Sequence, residues 1–459
     1  MTDAALAELR IYVWAWLAMA TIVLWRHSRN DRSVGLVACF VLSLGSMHWL
    51  ASALLLLPWR EVQAENLEFT AIGMRLSTIA MLALLIGAEV GGMMRPTRGG
   101  DASAPESGKQ LVPPRLVTLY LIGGAVMYLL LFTAAGRIPS VRSVVSMGSS
   151  LIAVGVGLKC WNAWHLGHKW TERWWLLSTL GFPVLTVVVQ GFLGYGFATM
   201  MVVLAFRASF HRIRVWHLAV GAVMAFAGLS VYVTYMRERA EIREIVWSGG
   251  AMRDRTAKLG ETVRSFETFD VRNEEHLRRV NVRLNQNYLV GAAVVHLEGG
   301  VVPYANGATL LEAAAAVIPR MLWPDKPITA GSGELVSIYT GFRFDSDTSV
   351  GVGQVMEYYI NFGTSGVFLG FILIGALLVT SDRSASFHLA RGDSHKFLIW
   401  YLPALSLLNI GGSFTEVTAG AAAAYVLCLS INWVADQVLP SGERFGRQLE
   451  SSTLPTSVG

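Results

Sequence analysis

Runs of about twenty apolar residues recur along this 459-residue chain, and they limit what it can become. A run of that length crosses the hydrocarbon core of a bilayer as a helix, which satisfies its own backbone hydrogen bonds where water cannot. About eleven spans are predicted, at 9–25, 34–57, 69–91, 116–135, 143–161, 174–189, 192–207, 215–236, 351–379, 397–410 and 413–434. Within 174–207, Pro183 and the run Gln190-Gly191-Phe192-Leu193-Gly194-Tyr195-Gly196 also fit one broken element. Hydrophobic residues make up 53% of the chain and charged residues only 15%, which excludes an ordinary soluble domain. The expected fold class is all-α, a polytopic membrane helix bundle.

Positive charge alternates between loops. Arg26, Arg29 and Arg32 follow the first span, and Arg95, Arg98, Lys109 and Arg115 the third. Lys159, Lys169 and Arg173 flank the loop after the fifth, Arg207, Arg212 and Arg214 follow the seventh, and Arg383, Arg391 and Lys396 the ninth. The intervening loops are poorer in cations, apart from Arg137 and Arg142. The positive-inside rule then makes the basic loops cytoplasmic and leaves the N-terminus outside. Asp3 and Glu8 stand where a cleavable signal would be basic, so the first span is expected to be a retained anchor. The net charge of +5 reflects this loop asymmetry and is no nucleic-acid signature.

One interval breaks the pattern. From Arg237 to Ser349 the chain is polar, and the charge alternation puts this insert outside the membrane. The chain thus divides into a transmembrane bundle of about eight spans (1–236), an extracytoplasmic insert (237–349), further spans (350–436) and a disordered cytoplasmic tail (437–459). The linker 96–114 is flexible by composition. Cys39, Cys160 and Cys428 all fall in predicted spans, so the insert has no disulfide framework or cysteine metal site.

The insert has a charged helical part, Arg237–Arg283, and a more apolar part around 288–320. The second part is broken by Gly and Pro, and is expected to lie along the outer bilayer face or to cover a cavity. Arginine forks suit phosphate oxygens, which singles out Arg239, Arg283 and Arg320. Arg320 and Lys326 sit in the Pro-braced run Ile318-Pro319-Arg320-Met321-Leu322-Trp323-Pro324-Asp325-Lys326-Pro327, which reads either as an anion site or as a rigid loop with solvated charges. Downstream, Glu357-Tyr358-Tyr359-Ile360-Asn361-Phe362-Gly363 enters the ninth span. Glu357 is either a catalytic carboxylate or an ion-pair partner for an arginine.

On these two runs the chain resembles the bacterial oligosaccharide repeat-unit polymerases, the Wzy-type enzymes of O-antigen and exopolysaccharide assembly. The resemblance covers about 237–380 by motif and the whole chain by topology. It implies a GT-C-like membrane glycosyltransferase in the bacterial inner membrane, acting on its outer face without a cofactor. The implied substrate is an oligosaccharide on undecaprenyl diphosphate, and the implied partners are the bilayer, a chain-length regulator and a flippase. Arginines would neutralise the developing charge on the diphosphate without a metal, and a carboxylate or histidine would take the proton of the attacking hydroxyl. The candidate residues are Glu357 and His296 for that proton, and Arg239, Arg283, Arg320, Lys326, Trp323, Tyr358 and Asn361 for diphosphate and sugar.

Bland alternatives stand beside each of these. A histidine in an apolar run, such as His296 or His48, commonly packs and hydrogen-bonds; Arg75 commonly snorkels. Asp345 and Asp347 read as a solvated loop, and the turn Leu408–Glu416 either lines a site mouth or simply closes the last two spans. The rival functions are a ligase of finished polysaccharide, a lipid-linked sugar exporter and a scaffold. An exporter would place ionisable groups near the middle of several spans, where this sequence has few.

Overall fold

A computed structural model of the chain describes residues 2–28, 33–59, 64–93, 111–131, 133, 138–211, 215–318, 322–323, 331–344 and 350–438. Arg320, Lys326, Asp345 and Asp347, most of the linker 96–114 and all but the first two residues of the tail lie outside the described residues. Every regular element among the described residues is helical. Among the described residues, seven helices are long and apolar enough to cross a membrane: Asp3–Arg26, Leu36–Leu54, Asn66–Met93, Val141–His165, Ala219–Trp247, Gln354–Ala390 and Phe414–Val438. Each coincides with a predicted span.

The other four predicted spans form shorter elements. Pro114–Leu130 and Leu193–Ser209 are apolar helices of 17 residues, just short of a full crossing. The stretch 174–189 falls on two short helices, Lys169–Ser178 and Gly181–Gln190. Gly191, at φ +75°, ends the second in the left-handed conformation that glycine tolerates. The stretch 397–410 is the helix Ser394–Tyr401 followed by a 3-10 turn, Pro403–Leu408, where Pro403 interrupts the α ladder.

Helix Ala64–Met93 is the centre of the bundle, and Thr2–Ser28, Gln286–Glu298 and Gln354–Ala390 all pack on it. Small residues permit this. A Cβ added at Gly87 would overlap the Ile372 carbonyl, and one at Gly375 the Leu84 carbonyl, so these two backbones touch. At one end of the bundle Asp382 accepts from the backbone N–H groups of Val34 (3.2 Å) and Leu36 (2.8 Å) and pairs with Ser33. That carboxylate covers the N-terminus of the second candidate span.

The insert lies at the other end and does not merely rest on the bundle. Its helix Gln286–Glu298 is buried in it: Asn287 is fully buried, and a Cβ at Gly291 would overlap the Phe69 carbonyl, as one at Gly73 would the Asn287 carbonyl. Asn287 Nδ2 donates to the His48 carbonyl (2.8 Å) and Ser52 Oγ (2.9 Å), while His48 Nδ1 donates to Asn287 Oδ1 (2.6 Å). A π-helical turn, Gly45–Trp49, carries His48. Of the two expectations for this part, the outer bilayer face is thus corrected for Gln286–Glu298: Gly73 and Gly291 let it pack backbone to backbone inside the bundle, where Gln286, Tyr288 and Leu289 line the cavity described below.

The charged first part of the insert is helical as expected. The helix Val215–Trp247 runs on from its apolar half, followed by Met252–Arg264 and Glu274–Leu284, which Asn273 caps through Glu275 N and His276 N. Their charges pair internally: Lys258 with Glu238 (2.9 Å) and Glu241 (2.6 Å), Arg279 with Glu275 (3.0 Å), and Arg237 with Glu267.

Candidate active site

A cavity of about 3010 Å³ opens between the helix Val215–Trp247 and the rest of the bundle. That helix is the least buried of the seven candidate spans, at 22%, with Val220, Val223 and Phe226 exposed, so it stands off its neighbours. The lining follows Leu193–Ser209 from Gly194 and Tyr195 at the insert end to Arg207 and Ala208 at the opposite end, roughly 21 Å at the rise of an α-helix. Between the ends it is mostly apolar, with Leu42, Met47, Met201, Leu204, Val220 and Met224 among the lining residues beside the hydroxyls of Ser43, Ser46 and Thr199. Such a wall suits a hydrocarbon chain.

The insert end is cationic. Tyr235, Arg239 and Arg243 follow at four-residue intervals on one helix and therefore share a face. Arg283, near the end of Glu274–Leu284, completes a group of three guanidiniums in the cavity wall. The three are close enough to act on one another: Arg239 experiences both Arg283 and Arg243 as like charges. Burial first, and then the charge of Arg243, holds the Arg283 guanidinium below its ordinary value.

Arg237, Lys258, Arg278 and Arg279 meet carboxylates and Arg255 donates to backbone carbonyls, but Arg239, half-buried in the wall, has no hydrogen-bond or ion-pair partner among the described residues. Arg243, 9% exposed, is held over the Phe192 ring at 4.3 Å. Tyr235 donates its hydroxyl proton to the Gly191 carbonyl (2.7 Å), and the Tyr232 hydroxyl, also in the wall, has no hydrogen-bond partner among the described residues. Gathering like charges in a half-buried place costs free energy that an anion would offset. Asn281 and Asn285 add neutral polar groups beside Arg283.

The opposite end is basic too, with Lys169, Arg173 and Arg207, but there Glu172 pairs with Arg207. Among the described residues no three His, Cys, Asp or Glu side chains converge to hold a metal ion.

The sequence-derived candidates separate. Arg239 and Arg283 meet in the cavity. Glu357 is fully buried outside its lining, and its Oε2 accepts from the Phe414 N–H at 2.6 Å. Asn361 donates to Thr309 Oγ1 (2.7 Å) and the Glu357 carbonyl (2.7 Å) and accepts from the Gly307 N–H (2.9 Å). Both residues thus brace a break in the helix Gln354–Ala390, where Phe362 and Gly363 (φ 61°) leave helical geometry. Tyr358 covers Gly370 and packs on Phe414 at 4.4 Å. His296 is half-buried, with its ring against Gly341, and Trp323 is 39% exposed; neither lines the cavity. Arg320 and Lys326 lie outside the described residues. The four-residue spacing of Tyr235, Arg239 and Arg243 is the signal by which Arg243 and Tyr235 could have been found.

The family model described as "Domain of unknown function (DUF8712)" matches residues 104–386, more than half of the chain. The chain belongs to the DUF8712 family. The matched stretch contains all three arginines of the cluster and ends before the last two helices. No curated protein and no solved structure matches the chain.

Proposed function

We propose that this chain is a membrane glycosyltransferase that polymerises oligosaccharide units carried on undecaprenyl diphosphate. In this reading the insert faces the outside of the bacterial inner membrane. The shorter helices and helix pairs complete about eleven crossings in a GT-C-like bundle, and O-antigen, capsule or exopolysaccharide is the product. One observation carries the proposal: an uncompensated cation, Arg239, stands with Arg243 and Arg283 at the head of a long apolar cavity. A lipid diphosphate has the complementary form, a dianionic or more highly charged head on a hydrocarbon tail. The guanidiniums would bind its oxygens and stabilise the charge that develops as the sugar–phosphate bond breaks. A ligase of finished polysaccharide would use the same donor chemistry.

A second reading, a lipid-linked sugar exporter, draws on the basic residues at the far end of the cavity, Lys169, Arg173 and Arg207. The apolar middle speaks against passage of a hydrophilic head. Deletion of the gene with analysis of surface polysaccharide separates these functions. Loss of the polymerase leaves single repeat units attached at the surface. Loss of a ligase leaves long chains unattached, and loss of an exporter leaves lipid-linked units inside.

A further inference from the structure

Transfer to a sugar hydroxyl needs a group that receives the hydroxyl proton, within hydrogen-bond reach of that hydroxyl as it approaches the anomeric carbon of the donor. The titratable groups lining the cavity divide by end. Glu172, His211 and His217 line the end that holds Lys169 and Arg207, with Glu172 paired to Arg207. At the arginine end, Glu416 is the lining carboxylate among the described residues.

Its setting suits a base. Glu416 lies in the first turn of Phe414–Val438, where the helix N-terminus favours the ionised carboxylate. The Ser332 hydroxyl, from the insert, donates to Oε1 at 2.9 Å, and Asn409 Nδ2 approaches Oε2 at 3.5 Å. Both neighbours are neutral donors, so they orient the carboxylate and leave it lone pairs to spare. Tyr195, also in the wall, feels the charges of both Glu416 and Arg243, which links the carboxylate to the arginine cluster. Glu416 is also exposed to the cavity side, whereas Glu357 is closed off behind Phe414.

We infer that Glu416 is the catalytic residue that accepts the proton of the acceptor sugar hydroxyl, with Ser332 and Asn409 as its positioning residues. The inference rests on the transferase reading above. In the step, the acceptor oxygen forms a bond to the anomeric carbon of the donor sugar, and the bond from that carbon to the diphosphate oxygen breaks. The electron pair leaves with the lipid diphosphate beside the arginines, and the hydroxyl proton passes to Glu416.

The test uses the purified full chain in lipid vesicles with a polyprenyl-diphosphate oligosaccharide, reading polymer formation against pH and donor binding separately. Glu416→Gln is expected to lower the rate by about 100-fold or more while donor binding is kept. Glu416→Asp is expected to retain part of the rate with a displaced acid limb, and Ser332→Ala to displace that limb with the rate partly kept. A Gln variant that polymerises like the wild type overturns the assignment. If the Gln variant fails to accumulate, the Asp variant decides: a displaced pH profile supports the role and an unchanged one refutes it. Wild-type protein that binds the donor but never extends it defeats the transferase reading, and the assignment with it.

Discussion

Arg239 is the residue on which the site turns, because it lines a cavity beside two like charges without a counter-ion of its own. Its interest was legible in the sequence as an outer-side cation near a span end, and so was that of Arg283. Arg243 was harder to see, since arginine dominates lysine throughout the chain and only helical spacing separates it from the rest. Glu357 shows the opposite case. Its position along the chain gives its depth, but not which way the side chain points, and the Phe414 N–H together with the break at Gly363 turn it inward. Replacing Arg239 with Ala removes a charge-assisted contact worth about 1.5–3 kcal/mol, or roughly 10- to 100-fold in affinity for a lipid diphosphate. Arg239→Lys is expected to recover little of this, because an ammonium cannot reproduce the planar fork. Titration of both variants with a fluorescent polyprenyl diphosphate measures the effect, and a Lys variant binding like the wild type would remove the need for a fork.

At the scale of elements, the sequence yielded the long spans and missed how the insert enters the bundle. Apolar length is a local property and reads directly, so the seven long helices coincide with predicted spans. The docking of Gln286–Glu298 depends on Gly73 meeting the Asn287 backbone and Gly291 the Phe69 backbone, across more than two hundred residues, and nothing local marks those contacts. The same helix places Gln286, Tyr288 and Leu289 at the cavity wall, so its seating also shapes the site. Gly291→Ala would drive a methyl group into the Phe69 carbonyl, and overpacking of this kind costs about 1–3 kcal/mol. The melting temperature of the purified protein is expected to fall clearly, whereas Gly260→Ala, with open space around it inside the helix Met252–Arg264, should leave it unchanged or slightly raised. Equal melting of the two variants would mean that the helices are not packed backbone to backbone.

For the whole molecule, the parallel course of Ala64–Met93 and Gln354–Ala390 agrees with the charge alternation, since both are predicted to enter from the insert side. Single cysteines at Arg272 in the insert and Arg391 after the kinked helix, both exposed, report this orientation when the native cysteines are absent. An impermeant thiol reagent added outside intact cells should label the first and spare the second; the reverse pattern would invert the protein and place the arginine cluster inside. The central claim, that the cluster and its cavity hold a lipid diphosphate for polymer growth, is tested most directly by incubating the purified protein with a lipid-linked oligosaccharide and resolving the products by size. The wild type is expected to give a ladder whose steps are one repeat unit, and Arg239→Ala to leave the single unit largely unextended. A ladder undiminished by Arg239→Ala, or a wild type that gives none, would contradict it.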